Sequence, residues 1–170
     1  METTQHSATS TPSPLELPAQ AVLDFIGKRS FATLATTSAE GWPHAAGVLY
    51  AMSGEHLYVS TLGVSRKARN IVQNPRVAVT VPVRRIPIGP PSSIIFQASA
   101  RVVELHDPEL RAAVDTGDLK AVTSHGELEM PGGVFIQIAL PRKVVTYGLG
   151  MSLLSLMRDP MNATGFARLV

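Results

Sequence analysis

The alternation of apolar and polar positions predicts a domain built mainly from short β-strands. Residues 1–14 lack apolar periodicity and are rich in Thr, Ser and Pro, which is typical of a flexible tail. A helical stripe follows from Ala21 to Ile26 and ends at Gly27. The remaining pattern gives six strands, at residues 31–36, 43–52, 56–62, 76–83, 92–104 and 134–147. Because short turns join several of them, we expect a mainly β fold, a small antiparallel barrel or sandwich with peripheral helices.

Helical patterns also occur between and after these strands. Ser65 is suited to cap a helix that ends before Pro75, and residues 107–114 and 119–124 are further helical segments. The predicted organisation is a tail over 1–14, a barrel domain over 15–150, and a helix with a polar tail over 151–170. The stripe Met151–Met157 is too apolar for a solvated helix, so it packs on the barrel, contacts a second subunit or covers a substrate.

The low charge content indicates hidden surface. Charged residues make up 16% of the chain, against roughly 25% in an average soluble domain. No apolar run approaches the roughly 18 residues that span a bilayer, so we expect no membrane span and a protein interface instead. Residues 31–36 agree with an interface, because both faces of that strand are apolar and need cover. The chain has no cysteine, which excludes disulfides, thiolate metal sites and a cysteine nucleophile.

The net charge of +2 hides an uneven distribution. Residues 56–103 contain 7 basic residues and no Asp or Glu, so they carry +7 and the rest of the chain carries −5. A block of one sign predicts an anionic partner. The alternative is that these cations pair with acids elsewhere in the chain. A nucleic-acid-binding barrel is disfavoured, because Phe96 is the only aromatic residue between Val59 and Val103 and bases need aromatic partners for stacking.

The strongest local signal for chemistry lies between residues 58 and 69. A strand delivers two hydroxyls to a turn, and a helix then starts with two cations in its first turn; the residues are Ser60, Thr61, Ser65, Arg66 and Lys67. The free N–H groups of a helix start attract anions, and hydroxyls and cations beside them suit a phosphate or a carboxylate. Cations are disfavoured at a helix N-terminus unless an anion meets them. The alternative is an exposed basic helix with a hydroxyl cap.

Five segments together resemble the pyridoxamine 5′-phosphate oxidase-like split β-barrel family, also called the flavin/deazaflavin oxidoreductase superfamily. In order, they are Phe31–Thr36 (FATLAT), Gly41–His44 (GWPH), Leu57–Thr61 (LYVST), Ser65–Asn70 (SRKARN) and Asn74–Val79 (NPRVAV). The specificity lies in their order and spacing rather than in any one of them. The likeness covers residues 18–103 well and residues 134–147 more loosely.

The resemblance implies a six-stranded antiparallel split β-barrel of the Greek-key type, a homodimer, and a flavin-type cofactor in a groove between the subunits. In this family, strand-end hydroxyls and the Arg-Lys pair hold the cofactor phosphate; the matching positions here are Ser60, Thr61, Ser65, Arg66 and Lys67. The second strand lies along the flavin ring, which points to Ala46, Gly47 and Val48. The glycine at position 47 fits either a close approach of the backbone to the ring or a bulge.

The chain is similar to the actinobacterial members of the family, some of which use the deazaflavin coenzyme F420 and others FMN. The resemblance therefore implies an oxidoreductase that uses F420 or FMN for hydride transfer to or from a small organic substrate, whose identity stays open. Residues 144–170 contain no counterpart of the Arg- and His-bearing segment that holds the substrate of the genuine vitamin B6 oxidase. The basic, Pro-rich loop at 84–91 either faces the acidic tail of F420 or forms a stiff surface turn.

Hydride transfer by such a cofactor needs little from protein side chains, so the absence of a catalytic triad does not argue against an enzyme. No pair among the five histidines has metal-ligand spacing, and we expect no metal. His44 is the candidate proton donor, with an ordinary surface histidine as the other interpretation. A non-catalytic cofactor-binding or sensing protein is the alternative function. Residues 1–14 lack the basic start and apolar stretch of a secretory signal, so we expect a cytoplasmic protein.

Overall fold

The computed structural model describes residues 14–83 and 91–169. The predicted tail at 1–14 lies outside these residues except for position 14, and the basic loop at 84–91 lies outside them except for position 91. The strands are β1 (Leu15–Glu16), β2 (Phe31–Thr37), β3 (Pro43–Leu49), β4 (Ala51–Ser53), β5 (His56–Leu62), β6 (Arg76–Val83), β7 (Ser92–Val103), β8 (Gly133–Ala139), β9 (Lys143–Tyr147) and β10 (Thr164–Arg168). The α-helices are α1 (Ala19–Gly27), α2 (Arg66–Gln73), α3 (Pro108–Asp115) and α4 (Leu153–Arg158), and single 3₁₀ turns occur at Lys120–Val122 and Pro160–Asn162.

The strands form one curled sheet whose two halves share the long strand β7. One half has the order β1-β10-β9-β7-β6-β2-β3, and the other joins β4, β5 and β8 to β7. Positions 92–99 of β7 pair with β6, whereas positions 100–103 pair with β8, so the strand crosses from one half to the other. The predicted fold class, a mainly β split barrel with peripheral helices, is confirmed.

Two of the six predicted strands are interrupted. Residues 134–147 divide into β8 and β9 on either side of Pro141, which has no N–H to donate to a ladder. Residues 43–52 divide at Tyr50, whose buried hydroxyl donates a 2.7 Å hydrogen bond to the carbonyl oxygen of Ile26 and so ties α1 to the barrel. Burial raises the pKa of this tyrosine far above its ordinary range, with a partly opposing effect of Arg29.

The prediction of a polar tail after the C-terminal helix was wrong. Residues 164–168 form β10, which pairs antiparallel with β9 and parallel with β1. Gly165 permits this parallel pairing, because a Cβ there would lie 2.6 Å from the carbonyl oxygen of Leu15. In the preceding helix α4, Leu156 is buried beside Gly148, which directly follows β9, whereas Leu154 and Met157 remain exposed.

Two apolar clusters hold the fold together. The larger fills the barrel and includes Leu34, Val79, Ile94 and Ile136. The smaller lies under α3 and the 3₁₀ turn at 120–122; its fully buried members are Leu110, Leu119 and Phe135. No helix in the described part of the chain is both long and apolar enough to cross a bilayer.

The outer face of β2 and β3 is apolar and open. Phe31 and Leu49 lie directly opposite each other in the ladder and are 48% and 59% exposed. The same face presents Ala45 and Gly47, and none of the outward positions of the two strands carries a charge. The inner face of β3 holds His44, Ala46 and Val48 instead. Both faces of this part of the sheet are thus apolar, as the sequence indicated, and only the inner face is covered.

Candidate functional site

The junction between β5 and α2 is held by hydroxyl groups. Ser65 is the N-cap of α2, and its Oγ accepts a 3.3 Å hydrogen bond from the backbone N–H of Ala68. The same oxygen accepts a 3.2 Å hydrogen bond from the hydroxyl of Thr61, which is buried. The predicted cap at Ser65 is therefore confirmed. Two of the proposed phosphate-binding hydroxyls also have a structural task, because they fix the start of the helix.

A groove of about 240 Å³ lies beside this junction, and we call it the β3–β5 groove. It is lined by Gly47, Val48, Leu49, Val59, Ser60, Lys67, Ala121, Val122 and Glu127. Four of the residues expected at a cofactor site thus share one cavity: the glycine and valine of β3, the serine of β5 and the lysine of α2. The structure brings them together although they are up to 20 residues apart in the sequence.

The backbone of Gly47 lies close to an aromatic ring of its own chain. A Cβ at this position would lie 3.0 Å from two ring carbons of Phe31, on the neighbouring strand. The glycine therefore lets the Phe31 ring fold over β3, which by itself accounts for a small residue here. A side chain at position 47 would push the ring away and change the wall of the groove.

A second cavity, of about 450 Å³, lies on the other side of the α2 start, and we call it the hairpin cleft. It is lined by Ser38, Glu40, Trp42, Pro43, His44, Arg66, Arg69, Asn70 and Gln73. Arg66 and Lys67 are adjacent in the sequence but face different cavities, because successive residues of a helix point in directions about 100° apart. His44 belongs to this cleft and not to the groove.

The other three predicted residues line neither cavity. Ala46 is half-buried on the inner face of β3, and Thr61 and Ser65 form the hydroxyl pair described above. They lie beside the groove, and their contact with a ligand remains a prediction.

Sequence reasoning missed the wall that residues 121–127 contribute to the groove. Glu127 is its charged member, and its carboxylate accepts a 2.8 Å hydrogen bond from the backbone N–H of His125. This bond lowers the pKa of Glu127, partly opposed by burial, so the groove contains an anion as well as the cation of Lys67. Leu119 and Val122 pack into the smaller apolar cluster, which also includes Tyr58 of β5, and this packing places the segment next to that strand. The apolar spacing of these two residues indicates in the sequence that the segment is packed against the rest of the protein. It does not indicate which strand the segment contacts.

The basic block separates into paired and unpaired charges. Arg101 forms ion pairs with Asp107 at 2.9 Å and with Glu109 at 3.0 Å. In contrast, Arg66, Lys67 and Arg69 form no ion pair with any residue in the described ranges. Among the described residues, neutralisation of the basic block within the chain therefore holds for Arg101 and not for the three cations of α2. The arginines at 84 and 85 lie outside the described residues.

The Arg101 cluster is a closed hydrogen-bond network between β7, β8 and α3. Gln137 accepts a hydrogen bond from Arg101 and donates to Glu109 at 2.8 Å and to the hydroxyl of Tyr58 at 2.9 Å. The bonds from Gln137 and Arg101 lower the pKa of Glu109. Burial opposes a low pKa at Asp107, but the Arg101 bond and the backbone N–H groups that it caps bring its pKa below the usual range. Every charge in this cluster has a partner, so its role is structural.

A family comparison bears on these cavities. The family model named pyridoxamine 5′-phosphate oxidase matches residues 18–139. The chain belongs to the pyridoxamine 5′-phosphate oxidase family. This confirms the resemblance drawn from the sequence, and the match includes β3, β5 and α2, which supply six of the groove's residues. No curated protein sequence matches the chain.

Solved structures of several other proteins share the barrel. A heme-binding protein from Mycobacterium smegmatis is 20% identical, with a TM-score of 0.66 over 78% of this chain and 55% of that one. HutZ, the heme storage protein from Vibrio cholerae, is 18% identical, with a TM-score of 0.61 over 74% of this chain and 91% of its own. A FAD-binding protein from Mesorhizobium loti is 23% identical, with a TM-score of 0.57 over 73% and 88% of the two chains. At these identities the likeness establishes the fold.

Proposed function

We propose that this member of the pyridoxamine 5′-phosphate oxidase family is an oxidoreductase that binds FMN or F420 in the β3–β5 groove, at a homodimer interface. The cofactor transfers hydride to or from a small organic substrate. The observation that carries the proposal is the pair of unpaired cations in the first turn of α2, one of which faces the groove together with Ser60.

The start of α2 favours an anion for several independent reasons. Its first-turn N–H groups carry partial positive charge, and Arg66 and Lys67 add two full charges with no acidic residue in that turn. Such an arrangement costs free energy in the empty protein and becomes favourable when a phosphate is bound. Lys67 and Ser60 are both half-buried, which strengthens charged hydrogen bonds relative to bulk water. We assign the cofactor phosphate to this end of the groove, beside Lys67 and Ser60.

The shape of the groove supports a second subunit. Its volume of about 240 Å³ is below the roughly 300–1,000 Å³ of cavities that enclose an organic ligand. One wall of the groove includes Leu49, which also belongs to the open apolar face of β2 and β3. A second copy placed on that face would cover Phe31 and Leu49 and deepen the groove at the same time. The homodimer thus accounts for the exposed apolar face and for the shallow cavity together.

The side chains of the groove suit binding and orientation more than chemistry. A bound flavin or deazaflavin supplies the hydride-transfer chemistry itself. The apolar residues Val48, Leu49, Val59 and Val122 would exclude water from one side of a flat ring. His44 is three residues before Gly47 on β3, which places it roughly 10 Å along the strand, and it faces the other cavity. We therefore assign no catalytic residue within the groove, and His44 stays a candidate proton donor from the adjacent cleft.

The proposal is tested by titrating the purified protein with FMN, F420 and hemin, each followed by its visible absorption. We expect FMN or F420 to bind with micromolar or tighter affinity. Binding of neither, or of hemin alone, would overturn the proposal. Tight binding without hydride transfer from the reduced cofactor to any of a panel of acceptors would favour the non-catalytic alternative.

A pair of variants makes this test specific to α2. Lys67→Ala removes a charged hydrogen bond of about 1.5–3 kcal/mol, so the cofactor Kd should rise by about 10- to 100-fold. Arg111→Ala is the matched control, because Arg111 is an exposed cation on α3 that lines neither cavity. Equal cofactor affinities for the two variants would contradict the assignment of the phosphate site to the start of α2.

A further inference from the structure

We propose that the hairpin cleft is a second ligand site, separate from the β3–β5 groove, and that it binds a small aromatic anion. The inference goes beyond the proposed cofactor site, since it concerns a different cavity and a different face of α2.

The cleft has two walls and a floor. The turn between β2 and β3 provides one wall with Ser38, Glu40 and Trp42, and His44 lies at the floor. The opposite wall is one face of α2, where Arg66, Arg69, Asn70 and Gln73 follow one another at helical spacing. The volume of about 450 Å³ is within the range of cavities that take an organic ligand and exceeds that of the groove.

The charges of the cleft favour an anion. Arg66 and Arg69 both line it, and within the described ranges neither has an acidic partner. Glu40 faces them, but it accepts a 2.7 Å hydrogen bond from the hydroxyl of Ser38, which lowers its pKa and directs its carboxylate toward its own turn. The cleft therefore has a net charge of +1 from its Arg and Glu residues. Two guanidinium groups on one helix face match the oxygens of a phosphate or a carboxylate.

Another residue that lines the cleft, Trp42, favours an anionic ligand that carries an aromatic ring. Trp42 is 74% exposed although it is the largest apolar side chain of the protein, and it lies at the cleft rather than in either core cluster. An exposed indole offers a flat surface on which a ring can stack, and a neighbouring arginine strengthens such a stack.

The floor of the cleft contains a polar atom that lacks a partner. The Nδ1 atom of His44 is buried and makes no hydrogen bond with any described residue. Beside it, Asn70 is fixed by a 3.0 Å hydrogen bond from its amide to the hydroxyl of Thr36, so the floor is ordered. Buried polar atoms without partners are rare, and one at the base of a charged cleft is expected where a ligand or its bound water completes the site.

The test uses Trp42 as the reporter, because it is the only tryptophan of the chain. The cofactor-free protein is titrated with phenyl phosphate, benzoate and inorganic phosphate while indole fluorescence is recorded. We expect saturable quenching by phenyl phosphate or benzoate, and weaker or no saturable binding of inorganic phosphate. The tighter of the two aromatic ligands identifies whether the anion is a phosphate or a carboxylate. No saturable signal, or equal affinity for inorganic phosphate, would overturn the proposal.

Two variants separate the cleft from the groove, with circular dichroism as the check of folding. Arg69→Ala should weaken the aromatic anion by about tenfold or more and leave FMN affinity unchanged. Lys67→Ala should do the reverse, and Arg111→Ala should change neither affinity. If Lys67→Ala weakens the aromatic anion as much as Arg69→Ala does, the two cavities form one site and the inference fails. If FMN does not bind at all while the Arg69 effect persists, the cleft stands and only the proposed cofactor function fails.

Discussion

Two helices of equal length, α2 and α3, begin in opposite electrostatic ways. Each has eight residues and a side-chain N-cap, Ser65 in α2 and Asp107 in α3. The first turn of α3 contains Glu109 next to the acidic cap, and these negative charges complement the helix dipole. The first turn of α2 contains Arg66 and Lys67 and no acid. By the rules of helix stability alone, the charges at the start of α3 are favourable and those at the start of α2 are unfavourable.

The difference shows which charges serve the fold. At the start of α3 both acids are paired: Arg101 binds Asp107 and Glu109, and Gln137 completes the network. At α2 the cations line two cavities and have no acidic partner among the described residues. The charges at the start of α2 are unfavourable for the helix, whereas α3 shows that the same protein also uses the favourable arrangement. We infer that the cations of α2 are retained because they bind a ligand.

The largest stability difference between the helices is expected at their caps. Asp107→Ala removes the acceptor of two backbone N–H groups and the partner of Arg101, so the free energy of unfolding should fall by about 1.5–3 kcal/mol. Ser65→Ala removes the acceptor of one backbone N–H and of the Thr61 hydroxyl, and it should cost about 1–1.5 kcal/mol. Thermal unfolding should show a Tm loss for Asp107→Ala about twice that for Ser65→Ala. An equal or larger loss for Ser65→Ala would mean that α3 is not the more tightly anchored helix.

A smaller effect should appear in the pH dependence of stability. The pKa values of Asp107 and Glu109 are lowered in the folded protein, so their contribution is complete above the ordinary carboxyl pKa of about 4 and is lost as the pH falls through the lowered values. Arg101→Met removes the cation that both carboxylates share. Chemical denaturation at a series of acidic pH values should therefore show a shallower loss of stability in this variant than in the wild type. Parallel curves would show that the Arg101 cluster does not cause the shift.

Local patterns predicted most of the barrel. The strands at 31–36, 56–62 and 76–83 occur with bounds within one residue of those predicted, because each is bounded by a turn, Gly, Pro or Asn signal that the backbone obeys. β10 was missed, since its five residues, TGFAR, have little apolar character and its stability comes from pairing with β9 and β1. Such pairing is a tertiary effect that the local pattern does not contain.

The candidate site was predictable to a similar extent. The hydroxyls and cations around Ser65 are contiguous in the sequence, so their common location follows from one strand, one turn and one helix. Glu127 and the 121–127 wall come from a distant segment that only packing brings to the groove. The division of Arg66 and Lys67 between two cavities also required the structure, because it depends on where the β2–β3 turn lies relative to α2.

The most direct test of the central claim is to give α2 the charge pattern of α3. In Arg66→Glu, an acid at the first turn complements the helix dipole and can pair with Arg69 one turn later, so the free energy of unfolding should rise by about 0.3–1 kcal/mol. The same variant should also lose FMN or F420 affinity, by about tenfold or more, because the helix start that binds the phosphate loses one positive charge and gains a negative one, although Arg66 itself lines the neighbouring hairpin cleft. The matching change on α3, Glu109→Arg, should lower stability and leave the cofactor affinity unchanged. A stabilised Arg66→Glu protein that no longer binds the cofactor is the predicted result. A destabilised variant, or one that retains wild-type affinity, would contradict the account.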